Sequence, residues 1–225
     1  MEIRQKTFKG HSYKFVCNPI IHYSWWSHDD ELQVREAWWD IQKDDVVFDI
    51  GAALGSYLLP ALACGASYCV AFSPLEGDAL GFLSKNLEVN DWQDRVKVFT
   101  SGLWSDEGWL RVFPEEKPSE FYEHDSLVPK DPFIFPVDTL DNLMKTDISV
   151  DRLDWYKIDV EGAELEVLKG SVETLTRFHP KVIIESHLFK NKDLTKLCTD
   201  FLKDLGYKLN QSGLMGRNTE HLYFI

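Results

Sequence analysis

Between Trp155 and Gly170 the chain reads Trp-Tyr-Lys157-Ile-Asp159-Val-Glu161-Gly162-Ala-Glu164-Leu-Glu-Val-Leu-Lys-Gly. An apolar run meets two carboxylates and a glycine, and a helix opens at that point. Acidic groups at the exit of a buried strand sit where open α/β enzymes carry out their chemistry. Earlier, Val46-Val-Phe-Asp49-Ile-Gly51-Ala-Ala53-Leu-Gly55-Ser56-Tyr57 makes a similar passage from strand to loop to helix. Together the two segments imply a nucleotide-type cofactor and a catalytic function.

The loop Asp49-x-Gly51-x-x-x-Gly55 departs from the G-x-G-x-x-G spacing that cradles a pyrophosphate. Gly51 is expected to let the backbone approach a ligand closely, and Gly55 to allow a tight start to the helix. Asp49 would oppose a diphosphate and attract an ammonium or sulfonium. The bland alternative is a tight turn with no ligand. At the end of the second strand, adenosine-binding folds place an acidic residue for the ribose hydroxyls. Here that position is Ser73, which offers one neutral hydrogen bond instead of a charge-assisted pair. Glu76 or Asp78 are the candidate substitutes.

Val182-Ile-Ile-Glu185-Ser-His187 carries the remaining chemistry. An imidazole accepts a proton near neutral pH, and Glu185 could orient it or bind substrate. A lone histidine is otherwise a surface or packing residue. Glu161 and Glu164 have a simpler reading, as acids that favour the dipole of a helix's first turn. His22, His28, Asp29 and Asp30 form the only other ligand-like group, but the two aspartates are explained as helix-start residues. No metal is expected. Trp25-Trp26 and Trp38-Trp39 read as packing pairs rather than a stacking platform.

These groups need a scaffold. Ser27-His-Asp-Asp30 reads as a capping box, with Val34, Trp38 and Ile41 as the buried stripe that follows. Val46–Ile50, Tyr68–Phe72, Val96–Phe99, Trp155–Ile158 and Val182–Glu185 read as core strands. Helices are expected from near Ser56 to Gly65, after Pro74 with Leu80, Leu83 and Leu87 inward, and from Leu194 to Leu205. A single helix is expected to carry Leu165, Leu168, Val172 and Leu175. Residues 207–210 and 221–225 read as a closing antiparallel pair. The result is an α/β fold with a mostly parallel sheet and one reversed strand. Gly51, Ser73, Thr100 with Ser101, Asp159, and Glu185 with His187 then share one address, the carboxyl ends of neighbouring strands.

The expected organisation is one domain over residues 1–225, with residues 1–43 an aromatic and helical N-terminal segment. Residues 104–136 contain Pro114, Pro118, Pro129, Pro132 and Pro136, which exclude a long helix. An inserted loop or small antiparallel excursion there would form a substrate wall.

At 44% hydrophobic with eight Trp, eight Tyr and fourteen Phe, the chain has material for a full core. A net charge of −13 argues against tracking nucleic-acid phosphates. No apolar run reaches the roughly 18 residues of a membrane span, and the start lacks a signal-peptide pattern. Cys17, Cys64, Cys69 and Cys198 show no C-x-x-C pair, which suits reduced thiols. The expectation from these features is a cytoplasmic protein with no nucleic-acid or membrane partner.

The motifs resemble the FkbM family of S-adenosylmethionine-dependent methyltransferases. The residues that carry the resemblance are Phe48-Asp49-Ile-Gly51-Ala-x-x-Gly55, Ala71-Phe72-x-Pro74 and Lys85-Asn86-Leu-x-x-Asn90. They continue with Val137-Asp-Thr-Leu140-Asp141, Lys157-Ile-Asp-Val-Glu-Gly-Ala-Glu164 with Leu168-Lys-Gly170, and Ile184-Glu185-x-His187. The resemblance implies a Rossmann-like class I methyltransferase sheet of seven strands, the last antiparallel. It implies that Gly51, Ala53 and Gly55, flanked by Asp49 and Ser56, contact the methionine moiety of S-adenosyl-L-methionine. Ser73 would sit by the ribose, Ser101, Gly102 and Leu103 near the adenine, and Asp159 at the reaction centre. The family usually has Glu where this chain has Ser73.

The function expected from these residues is O-methylation of a hydroxyl on a small molecule or sugar, with His187 or Asp159 as base and Glu185 as orienter. N-methylation of a peptide side-chain amide, or a cofactor-binding partner subunit without catalysis, are the alternatives. A nicotinamide-dependent oxidoreductase is disfavoured by the glycine spacing and by the absence of a ribose carboxylate.

Overall fold

Short apolar runs bounded by turn residues, with no polar face to keep in water, become the interior strands of a parallel sheet. The computed structural model describes residues 2–18, 32–74, 78–112, 133–188, 193–215 and 219–225. In chain order, a hairpin of β1 (Glu2–Phe8) and β2 (His11–Cys17) is followed by α1 (Leu32–Trp38), β3 (Val46–Ile50), α2 (Leu58–Cys64), β4 (Tyr68–Phe72), α3 (Asp78–Glu88) and β5 (Val96–Phe99). Next come β6 (Gly102–Leu103), β7 (Gly108–Val112), β8 (Phe133–Asp138), α4 (Leu140–Thr146), β9 (Trp155–Ile158), α5 (Glu164–Lys169) and α6 (Val172–Phe178). The chain closes with β10 (Lys181–His187), α7 (Leu194–Asp204), β11 (Leu209–Met215) and β12 (Thr219–Phe224).

Seven strands form the main sheet in the order β11-β12-β10-β9-β3-β4-β5. Strand β12 runs antiparallel to both β10 and β11, and the other pairs are parallel. It is therefore the one reversed strand, lying inside the C-terminal hairpin as expected.

Alternation along each strand separates two apolar layers. Val46, Phe48 and Ile50 join Tyr156, Ile158, Val182 and Ile184 on one side. Val47, Trp155 and Ile183 face the other, under Trp39, Leu58, Leu62 and Leu83. Trp39 packs edge-on against both Tyr57 (5.3 Å between centroids) and Trp155 (4.9 Å). Such pairs contribute about 0.5–1.5 kcal/mol beyond the area they bury. Asp49, Lys157 and Glu185 follow the period-two rule onto the Val47 face. That places polar groups on a buried surface.

Among the described residues the β1–β2 hairpin pairs with itself, and α3 holds it through two asparagines. Asn86 accepts from the Val16 N–H (2.5 Å) and donates to the carbonyls of Val16 and Leu54 (3.1 Å each). One turn on, Asn90 accepts from the Lys14 N–H (2.8 Å) and donates to its carbonyl (2.7 Å). Side-chain amides thus supply the strand edge with the donors and acceptors that a neighbouring strand would give.

Several expectations need correction. The stripe from Leu165 to Leu175 is two helices, broken at Gly170-Ser171. A β-carbon on Gly170 would stand 2.0 Å from the Trp104 carbonyl oxygen, and the Ser171 hydroxyl turns inward to Tyr156 and the Val167 carbonyl. Val172 is consequently exposed. The helix expected near Ser56 begins at Leu58. Strand β10 runs two residues further, so that His187 is a strand residue. The excursion is a three-stranded sheet, β6 lying parallel and β7 antiparallel to β8. Gly65 ends α2 in the left-handed conformation as expected, and Trp38 and Trp39 are packing residues. The capping box at Ser27, the Trp25-Trp26 pair, and Pro114 to Pro132 lie outside the described residues.

Gly51 has a sharper constraint than a ligand's approach. Its φ is +87°, its N–H bonds the Phe72 carbonyl, and a β-carbon would lie 1.7 Å from the Asp159 carbonyl oxygen. The missing side chain makes room for the exit of β9.

Two measurements check this packing. Asn86→Ala leaves buried backbone groups of Val16 and Leu54 unpaired and is expected to cost about 2–3 kcal/mol in urea unfolding; a loss under about 0.5 kcal/mol would contradict the docking role. Gly51→Ala is expected to lower the thermal midpoint severely, through overlap and backbone strain together. Wild-type stability there would show that the turn does not rest on Asp159.

Candidate active site

Lys157 points into the Val47 face and is 1% exposed. A buried ammonium is costly unless paired. Its Nζ lies 3.0 Å from Asp159 Oδ2 and 3.7 Å from Asp49 Oδ1, and 4.8 Å above the Tyr57 ring, whose face favours a cation. Asp49 is equally buried, with the Lys157 ammonium as its neighbouring charge. Burial pushes its carboxyl up to about 6, with the Lys157 charge opposing. Burial raises Asp159 as well, aided by the Glu185 charge.

Beyond Asp159 the chain turns back through two left-handed residues, Glu161 (φ +58°) and Gly162 (φ +98°). The reversal brings the side chains of Glu161 and Glu164 to the end of β10. Glu164 is fully buried; its Oε1 accepts the Gly162 N–H (3.0 Å) and contacts His187 Nδ1 (2.8 Å). The opposite nitrogen, Nε2, lies 3.7 Å from Glu161 Oε2, 3.7 Å from Glu185 Oε1 and 3.8 Å from Asp159 Oδ1. Burial favours a neutral His187, but the Glu164 hydrogen bond and the Asp159 and Glu161 charges raise it to about 10. Burial lifts Glu161 to about 7. Burial also opposes ionisation of Glu185, yet His221 and His187 beside it hold its carboxyl well below the usual range. His221 reaches Glu185 because the two are directly opposed on β12 and β10, with His221 Nε2 3.6 Å from Glu185 Oε2.

The structure therefore brings together Asp49, Asp159, Glu185 and His187 from the sequence-predicted set. Gly51, Ala53, Gly55 and Ser56 form the adjoining turn; Ala53 and Gly55 have positive φ, and the Gly55 carbonyl accepts the Leu59 N–H as α2 begins. Ser73, buried at the end of β4, and Ser101, at the end of β5, lie beyond β3 from the acidic group. Gly102 and Leu103 pair with β8, Leu103 within the core. Glu76 and the side chain of Asp78, like His22, His28, Asp29 and Asp30, lie outside the described residues.

Sequence reasoning missed Lys157, His221 and the inward roles of Glu161 and Glu164. The ring's hydrogen bond comes from Glu164, three residues beyond Glu161 in the same signature. A buried lysine inside an apolar strand was a signal available in the text. His221 had none, since only cross-strand register places it. The arrangement is a carboxylate-rich cluster, with the named carboxylates outnumbering Lys157 and the histidines. It can hold a cation, or take a proton from a group brought beside Asp159.

A family model described as the methyltransferase FkbM domain matches residues 49–209. Among solved structures, methyltransferase FkbM from Methylobacillus flagellatus is 20% identical, with a TM-score of 0.62 over 87% of this chain. The chain spans 47% of that protein's length. Aeropyrum pernix fibrillarin, in complex with natively bound S-adenosyl-L-methionine, gives a TM-score of 0.57 at 10% identity, covering 99% of this chain and 82% of that one. Precorrin-6y C5,15-methyltransferase from Geobacter metallireducens gives 0.51 at 18% identity, covering 86% and 85%. These structures share the fold. A search of curated protein sequences finds no match. With the family match covering most of its length, and the seven-stranded sheet with its reversed β12 in place, the chain belongs to the FkbM methyltransferase family.

Proposed function

We propose that this chain is an S-adenosylmethionine-dependent methyltransferase that acts on a hydroxyl of a small molecule or sugar. The observation that carries the reading is the juxtaposition of Asp159, Glu185 and His187 beside the turn after β3, at the carboxyl ends of three adjacent strands.

The residues present fit the cofactor. No Lys or Arg lies between Asp49 and Tyr57, so the turn offers no side-chain cation for a diphosphate. The turn stands instead beside the carboxyl groups of Asp49 and Asp159, whose sign suits a cationic ligand. Gly51, Ala53, Gly55 and Ser56 would line the methionine end, Ser73 one ribose hydroxyl, and Ser101, Gly102 and Leu103 the adenine side. Bound there, S-adenosylmethionine supplies an electrophilic methyl group.

The chain's own groups orient the acceptor and remove its proton. An alcohol is hardly ionised at neutral pH, so a residue must take that proton as the oxygen attacks. Asp159 is suited to this. Lys157 anchors one of its oxygens, the other faces His187, and its side chain is 24% exposed against 8% for His187. Glu185 stands behind, 3.7 Å from the imidazole. Fixing these groups on strand ends holds the reacting atoms in register, and positioning of this kind supplies much of the rate.

Ser73 favours a second reading, because one neutral hydroxyl grips a ribose less firmly than a carboxylate: a cofactor-binding partner subunit without turnover. Calorimetry with S-adenosylmethionine and S-adenosylhomocysteine, followed by methyl-transfer assays on hydroxyl and amide acceptors, separates the two. Turnover on hydroxyls is expected, with Asp159→Asn and His187→Ala each lowering kcat about 10²-fold or more. Undiminished rates in both variants would remove the proton-transfer assignment. Turnover on amides alone would move the acceptor to nitrogen, and binding without any turnover would favour the partner subunit.

A further inference from the structure

One imidazole nitrogen faces three carboxylate oxygens at distances too long for hydrogen bonds. Glu161 Oε2 and Glu185 Oε1 stand 3.7 Å from His187 Nε2, and Asp159 Oδ1 stands 3.8 Å away. Donors that share a small divalent ion, each about 2.1 Å from it, lie roughly 3–4 Å from one another. One donor atom each from Asp159, Glu161 and His187 falls within 4.8 Å of the others. The three residues come from the end of β9, the left-handed turn and the end of β10, so the backbone fixes their separation.

The ring is turned as a metal-binding histidine is turned. Its Nδ1 is committed to buried Glu164, which fixes the ring plane and directs Nε2 toward the carboxylates. His221 borders the same group, paired with Glu185 across the sheet. It is 1% exposed, and Glu185 Oε2 is its polar neighbour, 3.6 Å from Nε2. Glu161 Oε2 and Glu185 Oε2 are enclosed without hydrogen bonds. Buried polar groups are nearly always compensated. The His187 ring, its basicity raised by these carboxylates, meets that need as a cation when protonated, and a divalent ion taking the place of the Nε2 proton would meet it for several oxygens at once.

We propose that Asp159, Glu161 and His187 bind one divalent first-row metal ion, with Glu185 and His221 flanking it and Glu164 positioning the imidazole. Carboxylates with one imidazole and no thiolate suit Mn²⁺ or Zn²⁺ better than a soft ion, and the nitrogen ligand disfavours Ca²⁺. The consequence for the reaction rests on the methyl-transfer reading: an acceptor hydroxyl on the ion is more acidic, and its oxygen is held in place for attack. Ion binding itself does not rest on that reading.

The test uses the full chain, stripped with a chelator and desalted, without cofactor or acceptor. Mn²⁺ is titrated while its free-ion paramagnetic resonance signal is followed, and Zn²⁺ by calorimetry. Saturation at one ion per chain is expected, with binding lost in His187→Ala and Glu161→Gln. Glu164→Gln should weaken it about 10- to 100-fold by releasing the ring, and Glu166→Gln, on the same helix but paired with Lys169, should not change it. Circular dichroism checks each fold, and Glu161→Gln, partly exposed and isosteric, keeps the test open if His187→Ala fails to fold. No binding, or binding that both ligand variants retain, overturns the metal site while leaving methyl transfer to Asp159 and His187 unaided. Stoichiometric binding without methyl transfer on any acceptor would uphold the site and remove the reaction assigned to it.

Discussion

A single buried ammonium holds this site together. Lys157 sits in the middle of the sheet with almost no contact with solvent, and Asp49, Asp159 and the Tyr57 ring face make its charge tolerable there. The dependence is mutual, since two carboxylates that close in an apolar layer could not both ionise without it. Lys157 thereby ties the turn after β3 to the end of β9, the two places where the chain's glycines and acids gather. The two segments share one electrostatic keystone.

The sheet's two-residue period explains why such a cluster exists without breaking the core. Asp49, Lys157, Glu185 and His221 take inward positions near strand ends, while Val47, Trp155 and Ile183 fill the same face one step earlier. Apolar packing at one end and charge at the other are thus set by position along each strand. Glu164 extends the polar region from the rim, where a helix of only six residues begins with a side chain buried against His187.

Much of this was legible in the sequence where burial leaves a simple mark. Strands β3, β4 and β9 match their apolar runs residue for residue, because strands covered on both faces tolerate little else, and the half-buried edge strand β5 has its expected bounds as well. The reversed strand was visible from the Gly-containing turn before His221. The break between α5 and α6 was not, because periodicity continues across Gly170 while the cause, the Trp104 carbonyl, lies far away in the chain. Within the site, Asp159, Glu185 and His187 were recognised from their address at strand ends. Glu164 and His221 were hidden because their meaning depends on a tertiary turn and on strand register, neither of which leaves a pattern in a single segment. Gly51 carried a correct signal with a different cause, a crowding backbone in place of a ligand.

The contact between Gly170 and Trp104 has a mechanical consequence. Helix α5 spans only about 9 Å, with Glu164 at one end and Gly170 at the other, pressed on the Trp104 carbonyl and bonded to the Asp141 N–H. Trp104 in turn follows β6 and bonds the Asp138 carbonyl of β8. So short a helix acts as a stiff lever. The position of the three-stranded sheet is thus linked through α5 to Glu164, and through its hydrogen bond to the His187 ring. Sequence drift in that outlying sheet can therefore tune the imidazole from a distance while every residue that touches it stays the same.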